Sequence, residues 1–138
     1  LRHLALLNMK GNKLLNFNFT WITNLPQLSS VDLSSNYLFW VDVPDTVKLS
    51  LKELSIADNN LKTVPAGLKK ILAQSAFVDM TGNAMDCDCK LRWLIDPALS
   101  TAVHVDKFED IICKSPDRLH GRKVNAEPTK LKTRKRKK

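Results

Sequence analysis

The sequence predicts an α/β solenoid, wound in the right-handed sense, with short parallel strands on one face and a mostly irregular chain on the other. Two observations carry that prediction. Four segments, LALLNMKGNKL (Leu4 to Leu14), LSSVDLSSNYL (Leu28 to Leu38), LKELSIADNNL (Leu51 to Leu61) and SAFVDMTGNAM (Ser75 to Met85), align without gaps. Their asparagines, Asn12, Asn36, Asn59 and Asn83, recur at spacings of 24, 23 and 24 residues. Length and composition bound the class. A chain of 138 residues allows one compact domain or one modest solenoid. With 43% hydrophobic and 26% charged residues, and no apolar run approaching the ~20 needed to cross a bilayer, a membrane span within this stretch is excluded. The chain opens at Leu1 with neither an initiator Met nor a charged-then-apolar leader, which reads as a piece of a longer protein.

Each repeat reads L-x-x-L-x-L-x-x-N-x-L, with Ser75 the one polar residue at an apolar position. Period-two alternation in x-L-x-L-x puts Leu7 and Met9, Val31 and Leu33, Leu54 and Ile56, and Val78 and Met80 on one face of a short strand. Four parallel strands are expected near residues 6 to 9, 30 to 33, 53 to 56 and 77 to 80. Their outward residues fall into columns: Leu6, Ser30, Glu53 and Phe77; then Asn8, Asp32, Ser55 and Asp79; then Lys10, Ser34, Ala57 and Thr81. The surface so formed is mixed and mildly acidic, with two apolar exposures.

The pattern resembles the extracellular 24-residue class of leucine-rich repeat. That resemblance implies that Asn12, Asn36, Asn59 and Asn83 form a structural ladder, each side-chain amide donating to backbone carbonyls where the chain leaves its strand. It also places Phe17, Trp21, Leu25 and Leu28, and Leu61, Val64, Leu68 and Leu72, as core residues of the convex side. Trp21 and Trp40 read as core or back-face packing rather than as a ligand platform. Pro44 and Pro65, each after a valine, favour extended or turn backbone. AGLKKILAQSA, after Pro65, has room for one or two helical turns. Asn18-Phe19-Thr20 is an N-x-T glycosylation acceptor, and with Phe17 and Trp21 turned inward, Asn18 and Thr20 point out.

Three cysteines follow the repeats: Cys87 and Cys89 in CDCKLRWL, and Cys113 in IICKSPDRLHGRKV. Cys87, Cys89, His104 and Cys113 offer a three-Cys-one-His zinc set, although C-x-C is tighter than the usual knuckle. A cysteine nucleophile with His104 or His120 lacks an orienting acid and an oxyanion loop in the sequence. The two segments together resemble the cysteine-flanked C-terminal cap of extracellular leucine-rich-repeat proteins such as Slit, the Trk receptors and peroxidasin. Such a cap covers the apolar end of a solenoid. The resemblance implies a Cys87–Cys113 disulfide and a cap core of Leu91, Trp93 and Leu94. The family pattern has four cysteines, so Cys89 is left without its partner.

The net charge of +8 is local, because residues 129 to 138 hold seven basic residues and no acid, leaving 15 basic against 14 acidic before them. Lys130, Lys132, Arg134, Lys135, Arg136, Lys137 and Lys138 make a tail too poor in apolar residues to fold alone, suited to a polyanion such as a sulfated glycan. The expected organisation is therefore repeats over 1–86, a cap over 87–124 and a disordered basic tail over 125–138. The expected function is non-enzymatic, cofactor-free protein recognition outside the cell, as part of a receptor, adhesion or matrix protein. The concave candidates are Asn8, Lys10, Asp32, Glu53, Ser55, Phe77 and Asp79. A membrane span downstream remains compatible with this reading, and nucleic acid is disfavoured as a partner. The alternative is an intracellular repeat scaffold whose KTRKRKK tail serves nuclear import or nucleic-acid binding.

Overall fold

A computed structural model of the chain describes residues 2–72, 77–87 and 113–115. Strands β1 (Leu6–Asn8), β3 (Ser30–Asp32), β5 (Glu53–Ser55) and β6 (Phe77–Asp79) form one parallel sheet in that order. Interleaved with them in the chain are β2 (Asn16–Asn18), β4 (Trp40–Asp42) and the short helix α1 (Leu68–Leu72). Strand β7 (Met85–Asp86) pairs in parallel with β8 (Cys113–Ser115). The result is a leucine-rich-repeat solenoid, one coil per repeat.

The central residue of each main strand points into the core. Val31, Leu54 and Val78 are fully buried and register with Leu7 across the sheet. Leu33, Ile56 and Met80, two residues further on, are buried beside them. Leu7 and Met9 are only half-buried, because β1 is the edge strand and a single neighbouring coil covers them.

A second parallel sheet, β2 with β4, lies across the core and was not foreseen in the sequence. Its signal is present nonetheless: Asn16-Phe17-Asn18 and Trp40-Val41-Asp42 stand 24 residues apart, each with an apolar residue between polar or amphipathic ones. Phe17 and Val41 point inward and are buried. In the third coil the corresponding stretch is Thr63-Val64-Pro65, and Pro65 has no N–H to offer a third strand.

One expectation about the convex side is corrected. Trp21 was expected inside; it is 62% exposed, and Phe19 is the residue fully buried in its place. The cause is local. After β2 the chain enters a 3-10 helix, Phe19–Ile22, whose spacing of three turns Phe19 and Ile22 inward and leaves Trp21 outside. Trp21 instead sets its ring edge-on to Phe17, with centroids 5.2 Å apart. Trp40 lies on the outer face of β4, where its indole N–H donates to Asp42 Oδ1 at 2.6 Å. Leu28, Leu61, Val64 and Leu68 are buried, Leu25 is half-buried, and Ile71 joins the core from α1.

Candidate recognition face

The backbone leaving each strand is fixed before any outward side chain is positioned. Asn59 Nδ2 lies within hydrogen-bond distance of the carbonyls of Ile56 and Ala57 in its own coil and of Leu33 in the coil before, at 3.0, 3.0 and 3.1 Å. Its Oδ1 accepts from the Leu38 N–H at 3.0 Å. Asn36 does the same with Met9, Leu33, Ser34 and Leu14, and Asn83 with Ile56, Met80, Thr81 and Leu61. Asn12, in the edge coil, is exposed, and among the described residues its Nδ2 donates to Met9 O alone, at 2.8 Å. The ladder therefore ties each coil to the one before it.

The residue preceding each ladder asparagine is left-handed in every coil: Gly11 (φ +74), Ser35 (φ +55), Asp58 (φ +53) and Gly82 (φ +74). This turn aims the asparagine amide back under the strand. Glycine adopts it without cost, and small polar residues tolerate it.

Outward side chains then fall into register across the sheet. Leu6, Ser30, Glu53 and Phe77 form one row, and Asn8, Asp32, Ser55 and Asp79 the next. Leu6 and Phe77 are exposed at the two ends of the first row, while Ser30 Oγ donates to Glu53 Oε2 at 3.2 Å between them. In the second row, Asp32 Oδ1 accepts from the Ser34 N–H at 2.9 Å and the Ser34 hydroxyl at 2.5 Å. Asp79 Oδ1 does so from Thr81 N and Oγ1 at 3.0 and 2.7 Å, and Asn8 Oδ1 from Lys10 N at 3.0 Å. One oxygen of each aspartate is thus committed to closing a turn, and the carboxylates stand in fixed positions. The third column departs from expectation: Ser34 and Ala57 are buried, because the chain has begun to turn inward there. Lys10 stays exposed.

At the far end, Cys87 and Cys113 are disulfide-bonded, with Cα atoms 5.7 Å apart and both side chains buried. This pairing withdraws two sulfurs from the zinc alternative. Cys89, Leu91, Trp93, Leu94, His104, His120 and the basic tail lie outside the described residues.

No protein-family model matches the chain. Individual relatives do. Over 135 residues, 95% of its length, the chain is 30% identical to mouse Toll-like receptor 9, covering 13% of that receptor. Over 92 residues, 67% of its length, it is 32% identical to the rat platelet glycoprotein Ib beta chain, covering 44% of it. The crystal structure of human 5T4, a trophoblast glycoprotein, superposes on 84% of the chain with a TM-score of 0.70 and 25% identity, over 42% of that structure. The chain belongs to the extracellular leucine-rich-repeat proteins. This leucine-rich-repeat module spans less than half the length of the relatives it matches. Its disulfide is of the cap type, and the relatives are extracellular or cell-surface proteins, so the intracellular-scaffold alternative is set aside.

Proposed function

We propose that this module is a non-enzymatic recognition surface that binds a protein ligand on the concave face of the β1-β3-β5-β6 sheet. The observation that carries this reading is the pair of outward rows, held on short strands whose exits are locked by the asparagine ladder. Preorganised side chains on a rigid sheet lose little conformational freedom on binding. Phe77, 40% exposed, is the aromatic anchor, with Leu6 at the opposite end of its row. Between and below them stand Glu53, Asp32 and Asp79, with Ser55 and Asn8 as neutral polar neighbours and Lys10 at the rim. Three carboxylates against one ammonium suit a ligand that presents basic residues around an apolar group. The receptor and binding proteins among the relatives support recognition over catalysis. The seven basic residues of 129–138 add a second, salt-sensitive contact to a sulfated glycan.

The test is to probe an array of extracellular domains with the secreted, tagged chain, then repeat with Phe77→Ala, Glu53→Lys and, on the convex side, Trp21→Ser. Binding lost in the first two variants at an unchanged urea midpoint, and kept in the third, supports the concave face. Loss in Trp21→Ser alone moves the site to the convex side.

A further inference from the structure

We propose that Asn18 carries an N-linked glycan, and that this glycan occupies the outer face of the β2–β4 sheet, leaving the concave strands clear. Asn18-Phe19-Thr20 is the chain's one N-x-S/T sequence. The structure adds three facts. Asn18 ends β2, and its cross-strand neighbour is Asp42 of β4. Phe17 points inward and is buried, so Asn16 and Asn18 project outward from β2. Finally, Asn18 Oδ1 accepts from the Thr20 N–H at 2.9 Å and from Thr20 Oγ1 at 2.7 Å, while Nδ2 has no hydrogen-bond partner among the described residues.

That last fact separates Asn18 from Asn36, Asn59 and Asn83, whose Nδ2 atoms are each spent on three backbone carbonyls. Substituting Nδ2 at a ladder position destroys coil-to-coil bonds. Substituting it at Asn18 breaks none among the described residues. The co-reactant is a lipid-pyrophosphate-linked oligosaccharide of the secretory pathway. Asn18 Nδ2 forms a bond to the anomeric carbon, the anomeric C–O bond breaks, the lipid pyrophosphate leaves, and the amide nitrogen gives up one of its two protons to base.

On the folded chain the first sugar emerges beside Asp42, which is opposite Asn18, and Trp40, which is diagonal to it. The Trp40 ring is held in place through its bond to Asp42 and is 37% exposed. An apolar ring face fixed beside the attachment point is a stacking platform for the C–H face of a sugar. The inference rests on the extracellular membership of the chain, independently of which face binds a protein.

The experiment expresses the chain behind a secretory leader in glycosylating cells and weighs the secreted product before and after peptide-N-glycosidase. Wild type and Thr20→Ser should each lose one glycan increment, and Asn18→Asp should lose none. Because Asn18→Asp keeps an oxygen to accept from Thr20, it folds like wild type and separates loss of glycan from loss of fold. A folded, secreted wild type without the increment, or an increment that persists in N18D, overturns the site. Trp40→Ala should lower the urea midpoint more in the glycosylated protein than in the N18D background; equal shifts overturn the placement of the sugar on the outer face.

Discussion

Gly82 lies so close to Asp58 of the preceding coil that a β-carbon built on it would overlap the Asp58 carboxylate and stand 3.1 Å from Asp58 Cα. Gly11 has the same left-handed backbone, φ +74, yet a β-carbon there would meet nothing within 4 Å. Gly11→Ala should therefore cost about 1 kcal/mol, the penalty of a left-handed alanine alone. Gly82→Ala adds displacement of Asp58 and should cost about 2 to 4 kcal/mol. Urea unfolding of the two variants checks the difference. In a double-mutant cycle, Asp58→Gly should recover part of the Gly82→Ala loss, since it removes the overlapping carboxylate. Equal losses for Gly11→Ala and Gly82→Ala would show that Asp58 swings aside freely.

The main sheet was legible because its signal repeats: Leu54 and Ile56 are read as inward from alternation alone, and three further coils fix the same register. Trp21 departs from the convex-side core position that the family resemblance gives it because the chain after Asn18 becomes a 3-10 helix, which no repeat in the other coils announces. The β2–β4 sheet was missed for a related reason, since only two coils carry its pattern and Pro65 removes it from the third. The outward rows were legible as positions. Their hydrogen bonding was not, because whether Asp32 is a free carboxylate or the acceptor for Ser34 depends on the turn that follows the strand.

The asparagine ladder should be unequal along its length. Asn59→Ala leaves the Leu38 N–H and three carbonyls to find other partners in a buried turn, and should cost about 2 to 4 kcal/mol. Asn12→Ala removes one exposed hydrogen bond and should cost well under about 1 kcal/mol. Asn59→Asp is the sharper probe: it keeps an acceptor for Leu38 but sets a carboxylate against three carbonyl oxygens. Burial and those dipoles raise the carboxyl's folded pKa above its unfolded value, so N59D should gain stability relative to wild type as the pH falls and lose it as the pH rises. Urea midpoints at several pH values check this. A wild-type midpoint for N59D at neutral pH would mean that the ladder amide contributes little.

The last prediction concerns the disulfide, which closes a loop across the part of the chain least represented in the repeats. Cys87 follows β7 and Cys113 opens β8, with Met85 registered on Cys113, so the bond fastens the β7–β8 pair to the final coil. Its sequence separation of 26 residues corresponds to roughly 3 to 4 kcal/mol in the loop-entropy account. The double variant Cys87→Ala, Cys113→Ala should lose about that much against the oxidised parent in urea unfolding, and a reducing agent should destabilise the parent but not the variant. The chain has three cysteines, so with Cys87 and Cys113 paired no second cysteine remains within it for Cys89. Thiol titration of the unreduced monomer should give one reactive group, abolished by Cys89→Ser and unchanged in number per chain when the protein is denatured. Three titratable thiols on a folded, unreduced protein would show that Cys87 and Cys113 lie together unbonded, and stability would then be indifferent to reductant.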